Sequence, residues 1–260
     1  MIWMLKITKP SEIKEGFHGI VYGKPKVGKT STADDPKFKT LLIDMEGGSA
    51  VLSQAKNVDR IAVEDFKDFV EITESVKRGY FQIGNDKVPC DYDLYVIDSI
   101  SALQELIKVY VATVYAPSRR REINSKFGAM ADWGDLRDLI TRTTKAWHQL
   151  TKRGEDSIHV MWIAHEQVIK DETTEQASGT KIQLQGKDTA DIVMAHVDGI
   201  FYMFNRQNKD TKELERGVLT QTAGIYAAGV RQSKHAKGID PIIINPVWSD
   251  VFANLGYNRK

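Results

Sequence analysis

An apolar run, Phe17-His18-Gly19-Ile20-Val21-Tyr22, leads straight into Gly23-Lys24-Pro25-Lys26-Val27-Gly28-Lys29-Thr30, and Ser31-Thr32-Ala33 follows. The pattern G-x-x-x-x-G-K-[ST], placed after a strand and before a helix, constrains the fold more than any other feature of the chain. Its glycines let backbone N–H groups turn inward as an anion nest, and the helix N-terminus behind them adds positive potential. A random chain of this length meets the pattern with a probability on the order of one per cent. Ligands of such sheets bind outside the C-terminal ends of parallel strands, so an α/β architecture is expected.

The rest of the chain alternates as that architecture requires. Strands are predicted at Thr40–Ile43, Leu94–Ile97, Ile158–Ala164 and Gly199–Phe204. Helical spacing links Phe66, Phe69, Val70, Thr73 and Val76 over residues 64–78, and Leu103, Ile107, Tyr110 and Val114 over 100–115. The longest helix is predicted over 130–151, with Met130, Trp133, Leu136, Ile140, Trp147 and Leu150 on one side. Residues 218–228 and 241–247 read as late strands, the former in a hairpin across the polar turn 205–216. Together these give a mostly parallel central sheet flanked by helices, with late antiparallel strands. No repeat or linker divides the 260 residues, so 1–260 reads as a single domain. Two polar stretches without a period, 116–129 and 166–188, read as long loops of the functional kind.

Bulk properties exclude little. The net charge is +1, so affinity for nucleic acid has to come from local basic patches. The single cysteine, Cys90, can form neither an internal disulfide nor a zinc site alone, which suits a reducing compartment. The N-terminal apolar run is too short for a signal peptide and no stretch is long enough for a membrane helix. A cytoplasmic protein with no membrane partner is expected.

The chemistry is expected at the strand ends. The loop from Gly23 through Thr30, with Ser31, would cradle the phosphates of ATP, with Lys29 on the β- and γ-phosphates and the Thr30 hydroxyl on Mg²⁺. Asp98 ends the apolar run Leu94-Tyr95-Val96-Ile97 and is the acid expected to orient a magnesium-bound water, the alternative being an N-cap for the following helix. Glu46, in Leu41-Leu42-Ile43-Asp44-Met45-Glu46, is the general-base candidate, with Asp44 as its substitute. His165, after Ile158-His159-Val160-Met161-Trp162-Ile163-Ala164, is the candidate for sensing the γ-phosphate, and Gln167 is the second.

With these residues in place, the chain resembles the RecA-like ATPases, and more narrowly the phage-encoded single-domain RecA-like proteins of single-strand DNA annealing and recombination. The resemblance is carried by the loop at 23–30, Leu42-Ile43-Asp44-Met45-Glu46, Tyr95-Val96-Ile97-Asp98-Ser99 and Trp162-Ile163-Ala164-His165, and spans about residues 15–205. It implies a DNA-dependent ATPase in which Glu46 activates water and His165 stands where bacterial RecA has a glutamine. It also implies single-stranded DNA on loops 116–129 and 166–188, through Arg119, Arg120, Arg121 and Lys126 in the first, and Lys170, Lys181 and Lys187 in the second. Phe127 is the nearby aromatic residue. A homo-oligomeric ring or filament follows, with Arg231, Lys234 or Lys237 completing a neighbour's site. A single-strand binding protein is a further partner in keeping with it. The alternative is a helicase-loader-like or motor-accessory ATPase acting on a protein.

Overall fold

The structure, a computed structural model, describes residues 14–115, 127–128, 130–232 and 236–257. β1 (His18–Gly23) runs into the glycine loop, which closes in a five-residue 3-10 turn, Lys29–Ala33. Then come β2 (Thr40–Asp44), β3 (Val58–Ala62), α1 (Phe66–Arg78), β4 (Tyr80–Ile83), β5 (Asp86–Pro89), β6 (Leu94–Asp98) and α2 (Ile100–Tyr110). The second half holds α3 (Met130–Leu150), β7 (His159–Lys170), β8 (Ala177–Ile182), α4 (Thr189–Ala195), β9 (Gly199–Gln207), β10 (Leu214–Leu219), β11 (Gly229–Val230), β12 (Ile242–Ile244) and α5 (Trp248–Leu255).

The main sheet has the order β12-β10-β9-β1-β7-β6-β2-β3, with β11 beside β9 and β8 beside β7. β9, β1, β7, β6, β2 and β3 are mutually parallel, whereas β10, β12, β11 and β8 join antiparallel. This is the mostly parallel central sheet with late antiparallel strands expected from the sequence. Strands β1, β2 and β6 are buried along their whole length. That is why they read as continuous apolar runs.

Side chains of each strand alternate between two cores, as the period of two demands. Ile20, Tyr22, Tyr95, Ile97, Val160 and Trp162 face the layer of α1, α2 and α3. Val21, Leu42, Leu94, Val96, Met161 and Ile163 face the layer of α5. α1 starts where Asp65 accepts hydrogen bonds from the amides of Lys67 and Asp68 while Asp68 bonds back, a capping box. It stops at Gly79, whose φ of 85° suits a residue without Cβ. Trp147 of α3 is fully buried against Phe69, Tyr95 and Trp162, and its Nε1 donates to Thr73 Oγ1 at 3.2 Å.

Several expectations need correction. Residues 166–188 are not an irregular loop: β7 runs six residues past Ala164 and β8 folds back on it, Glu166 opposite Ile182. The polar sequence hid the ribbon because its two-sided exposure leaves no apolar stripe. The helix expected after the glycine loop is only the 3-10 turn, since the chain turns at Asp34 and Asp35 toward β2. The helix predicted to residue 115 changes to a π turn over Val111–Tyr115. The strand expected over 218–228 lies earlier, as β10, and ends at Leu219, and β3, β4, β5, β11, α4 and α5 have no counterpart among the elements the sequence predicts.

Replacing Trp147 by alanine should lower the unfolding free energy by roughly 3–5 kcal/mol, the cost of a large core cavity; the Thr73 hydroxyl keeps its bond to the Phe69 carbonyl at 2.9 Å. The urea midpoint measures it; a change below about 1 kcal/mol would contradict the packing of α3 described here.

Candidate functional site

Registration of four parallel strands brings the motif residues to one rim. Gly23 lies opposite His165, Asp98 opposite Ile163, and Asp44 opposite Asp98. Glu46 follows two residues beyond Asp44, in a turn shaped by that aspartate.

The loop is built for close approach. A Cβ on Gly23 would lie 2.3 Å from the Met203 carbonyl oxygen, so only glycine passes there. Gly28 has φ 96° and Lys26 has φ 65°, left-handed turns that rotate successive amides toward the loop interior. The amides of Lys26, Val27 and Gly28 meet no acceptor among the described residues. The buried Lys29 Nζ donates to the carbonyls of Gly23, at 3.0 Å, and Lys24, at 2.9 Å, bridging the loop. Burial holds the Lys29 pKa below its ordinary value, against the pull of Asp98 and Glu46. Ser31 Oγ donates back to the Gly28 carbonyl at 2.6 Å and braces the turn. Unclaimed amides and a desolvated ammonium in one cradle fit a bound polyphosphate.

Thr30 Oγ1 donates to Asp98 Oδ2 at 2.7 Å. Asp98 is buried, and that desolvation, with help from Glu46 and Asp44, pushes its pKa up to about 6 against the opposing Thr30 hydrogen bond. An uncompensated carboxylate beside a hydroxyl fits Mg²⁺, which takes one or two protein oxygens and completes its shell with phosphate and water. No group of three or more His, Cys, Asp or Glu residues able to hold a metal occurs among the described residues, and a magnesium–nucleotide site needs none.

Asp44 holds the turn that carries Glu46. Its Oδ1 accepts from the amides of Glu46, at 3.0 Å, and Gly47, at 2.7 Å, while Arg60 Nε donates to Oδ2 at 2.7 Å. Burial works against its charge, yet Arg60, Ser49 and the two amides outweigh it and lower the pKa. With both oxygens engaged, Asp44 positions Glu46 and does not substitute for it. Glu46 Oε1 accepts from Ser99 Oγ and meets His165 Nε2 at 2.9 Å; Oε2 has no partner among the described residues. The pair shifts both groups in opposite directions: the His165 bond lowers the Glu46 pKa, and the Glu46 bond raises that of His165. The His165 amide donates to Ser101 Oγ at 3.2 Å. A cleft of about 220 Å³, walled by Gln104, Gln183 and Gln185, opens beside Glu46 and His165.

The remaining candidates are scattered. Gln167 lies out on the β7–β8 ribbon opposite Lys181. Lys181 pairs with Asp191 at 3.6 Å, and Lys170 and Lys187 are exposed. Arg119, Arg120, Arg121, Lys126 and Lys234 lie outside the described residues. Phe127 is no open stacking platform, because it packs edge-on against Trp133 at 4.9 Å. Arg231 is engaged within its own chain, at the N-terminal end of β9, donating to Asp198 Oδ1 at 3.3 Å and to the Ala195 carbonyl. Lys237 is exposed between β11 and β12. Ser99, Ser101 and Arg216 were not singled out as site residues. Ser99 directly follows Asp98 and could have been found there; the Arg216 stem crosses Gly28 through a pairing register that no sequence signal reveals.

A family model described as an AAA domain matches residues 15–232. Nothing among the curated proteins matches. The chain is similar to the solved structure of the RadB recombinase, at 14% identity and a TM-score of 0.41, over 80% of this chain and 81% of that one. It is also similar to flagellar accessory protein FlaH from Methanocaldococcus jannaschii, at 10% identity and a TM-score of 0.42, over 89% and 85%.

Replacing Asp98 by asparagine should stabilise the nucleotide-free protein. The folded carboxyl, at about 6, is harder to ionise than the unfolded one, at 3.8. Ionisation therefore favours unfolding increasingly between those values, and by a constant amount above about pH 6. The asparagine variant should gain on the order of 2 kcal/mol at pH 7.5 and progressively less as pH falls toward 4. Urea melts at several pH values check this, and a gain independent of pH would contradict the buried carboxylate.

Proposed function

The chain belongs to the AAA domain family, and from that premise we propose that it is a DNA-dependent ATPase of phage single-strand annealing or recombination. The observation that carries the hydrolytic reading is the rim itself. Thr30 and Asp98 are in contact on one side, and Glu46 stands beside them with Oε2 free and Oε1 tied down.

In this reading Lys29 leaves the Gly23 and Lys24 carbonyls for β- and γ-phosphate oxygens, and the amides of Lys26, Val27 and Gly28 take up the rest of the chain of phosphates. Magnesium, held through Thr30 and Asp98, would supply charge neutralisation to the same oxygens. Glu46 Oε2 accepts a proton from the attacking water. The water oxygen bonds to the γ-phosphorus as the bond to the β–γ bridging oxygen breaks, giving ADP and inorganic phosphate. The hydrogen bond from His165 favours the ionised form of Glu46.

Control by DNA is argued from connectivity. His165 touches Glu46, and the β7–β8 ribbon begins at the next residue, with Lys170 and Lys181 on its strands and Lys187 just after them. A single strand neutralising those lysines would add salt-dependent affinity and shift the base of the ribbon, and His165 with it. Arg119, Arg120, Arg121 and Lys126 would contribute a second patch. Assembly of several copies, with Lys234 or Lys237 reaching a neighbour, and a single-strand binding protein on the same DNA belong to the same proposal.

Phosphate release should be measured with and without single-stranded DNA for the wild type, Lys29→Ala and Glu46→Gln. DNA should stimulate the wild type. Both substitutions should reduce turnover by roughly 10²–10⁴-fold, with Glu46→Gln still binding nucleotide. Wild-type turnover in Glu46→Gln would sink the hydrolytic assignment, and equal rates with and without DNA would sink the DNA-dependent one.

A further inference from the structure

We propose that Arg216 is a second phosphate-binding cation of the glycine loop, acting within its own chain; the inference rests on the ATP-binding reading above. Arg216 lies on β10, opposite Asn205 of β9, two strands away from β1. Its backbone is held on both sides by one residue: its amide donates to Asn245 Oδ1 at 3.1 Å, and its carbonyl accepts from the Asn245 amide at 2.7 Å. Asn245 adopts φ 48°, a left-handed turn that asparagine tolerates better than most side chains.

From this anchor the side chain reaches the loop. A Cβ added to Gly28 would fall 2.4 Å from Arg216 Nε and 3.0 Å from both Cδ and Cζ. The stem of the arginine therefore occupies the space that glycine alone leaves vacant. Gly28 is required by its φ of 96°, and the exposed arginine lies across it as a flexible side chain.

Among the described residues the guanidinium has no acid of its own. Its neighbour Glu215 is taken by Arg206, at 2.9 Å, and by Asn208, at 2.7 Å. No carboxylate or other acceptor pairs with the Arg216 head among the described residues. An unpaired planar fork beside three unclaimed amides suits the oxygens of a polyphosphate, which accept two parallel N–H bonds. The strand order puts it on the flank of the loop opposite to Asp98 and Glu46. The bound phosphates would then lie between a metal-managing acidic side and a purely cationic one. Part of the positive charge that the RecA-like resemblance assigns to a neighbouring copy is in this way carried by the chain itself.

Binding of ATP, ADP and AMP should be titrated by calorimetry in the presence of Mg²⁺ for the wild type, Arg216→Ala, Arg216→Lys and Lys29→Ala, with nucleotide-free melting curves as the check on folding. Arg216→Ala should weaken ATP and ADP by roughly 10- to 100-fold, the range of one charge-assisted hydrogen bond, and AMP by less than about 3-fold. Arg216→Lys, which keeps the stem and the charge, should recover part of the loss. Wild-type or tighter ATP binding by Arg216→Ala, with Lys29→Ala impaired, would overturn this inference alone and leave Arg216 as a cover over Gly28. Equal loss for AMP would overturn it as well. Absence of ATP binding in the wild type would remove the nucleotide reading and this inference with it.

Discussion

Backbone hydrogen bonding between β1, β7, β6 and β2 fixes where each of these strands stops. Since a parallel ladder permits no sliding without turning buried side chains toward the wrong core, the register Gly23–His165 and Asp44–Asp98 is enforced by the whole apolar interior. The ionisable groups at the rim are passengers of that constraint. Lys29, Glu46, Asp98 and His165 come from four separate segments, yet they meet because Ile20, Leu42, Val96 and Met161 each have one face to fill. Loss of core packing far from the rim would misplace them all.

Electrostatically the rim is unbalanced in a useful way. Asp98 and Lys29 are both held away from their charged forms by burial, while Glu46 and His165 stabilise each other's charge at the rim's more exposed side. The two desolvated groups have the most to gain from a ligand that brings negative phosphate oxygens to one and a cation to the other. Glu46 is different: the His165 hydrogen bond lowers its pKa and so its basicity, whereas a proton acceptor works best when its pKa approaches the ambient pH. Separation from His165 would raise that basicity at the moment His165 moves.

What the sequence made legible was what local composition determines. Gly23 through Thr30, Glu46, Asp98 and His165 each sit at or just past the end of a buried run, so the strand, its end and the candidate side chain are read together. The β7–β8 ribbon was not legible. Its stability comes from distant contacts, such as Tyr22 hydroxyl with Thr180 Oγ1 at 3.0 Å and Thr180 Oγ1 with the Ile225 carbonyl at 3.2 Å, and its own residues carry no two-sided pattern. β3 was missed for a related reason: as the edge strand its residues are mostly exposed, and Asp59 and Arg60 break the apolar run. Arg60 could not be tied to Asp44, nor Arg216 to Gly28, because the residues stand 16 and 188 apart in the chain and meet across neighbouring strands in the first case and across β9 in the second.

The two ends of the described sheet have a bearing on solubility. At one, β12 is three residues long and flanked by Pro241 and Pro246, neither of which has an amide proton to offer. At the other, β3 presents Asp59 and Arg60 in mid-strand. A second extended peptide would find at one border too few donors and at the other two charged side chains already engaged by Asp44 and Tyr92, so neither border is a good template for intermolecular sheet growth. Fibre-like self-association is in this way opposed at the places where such growth begins.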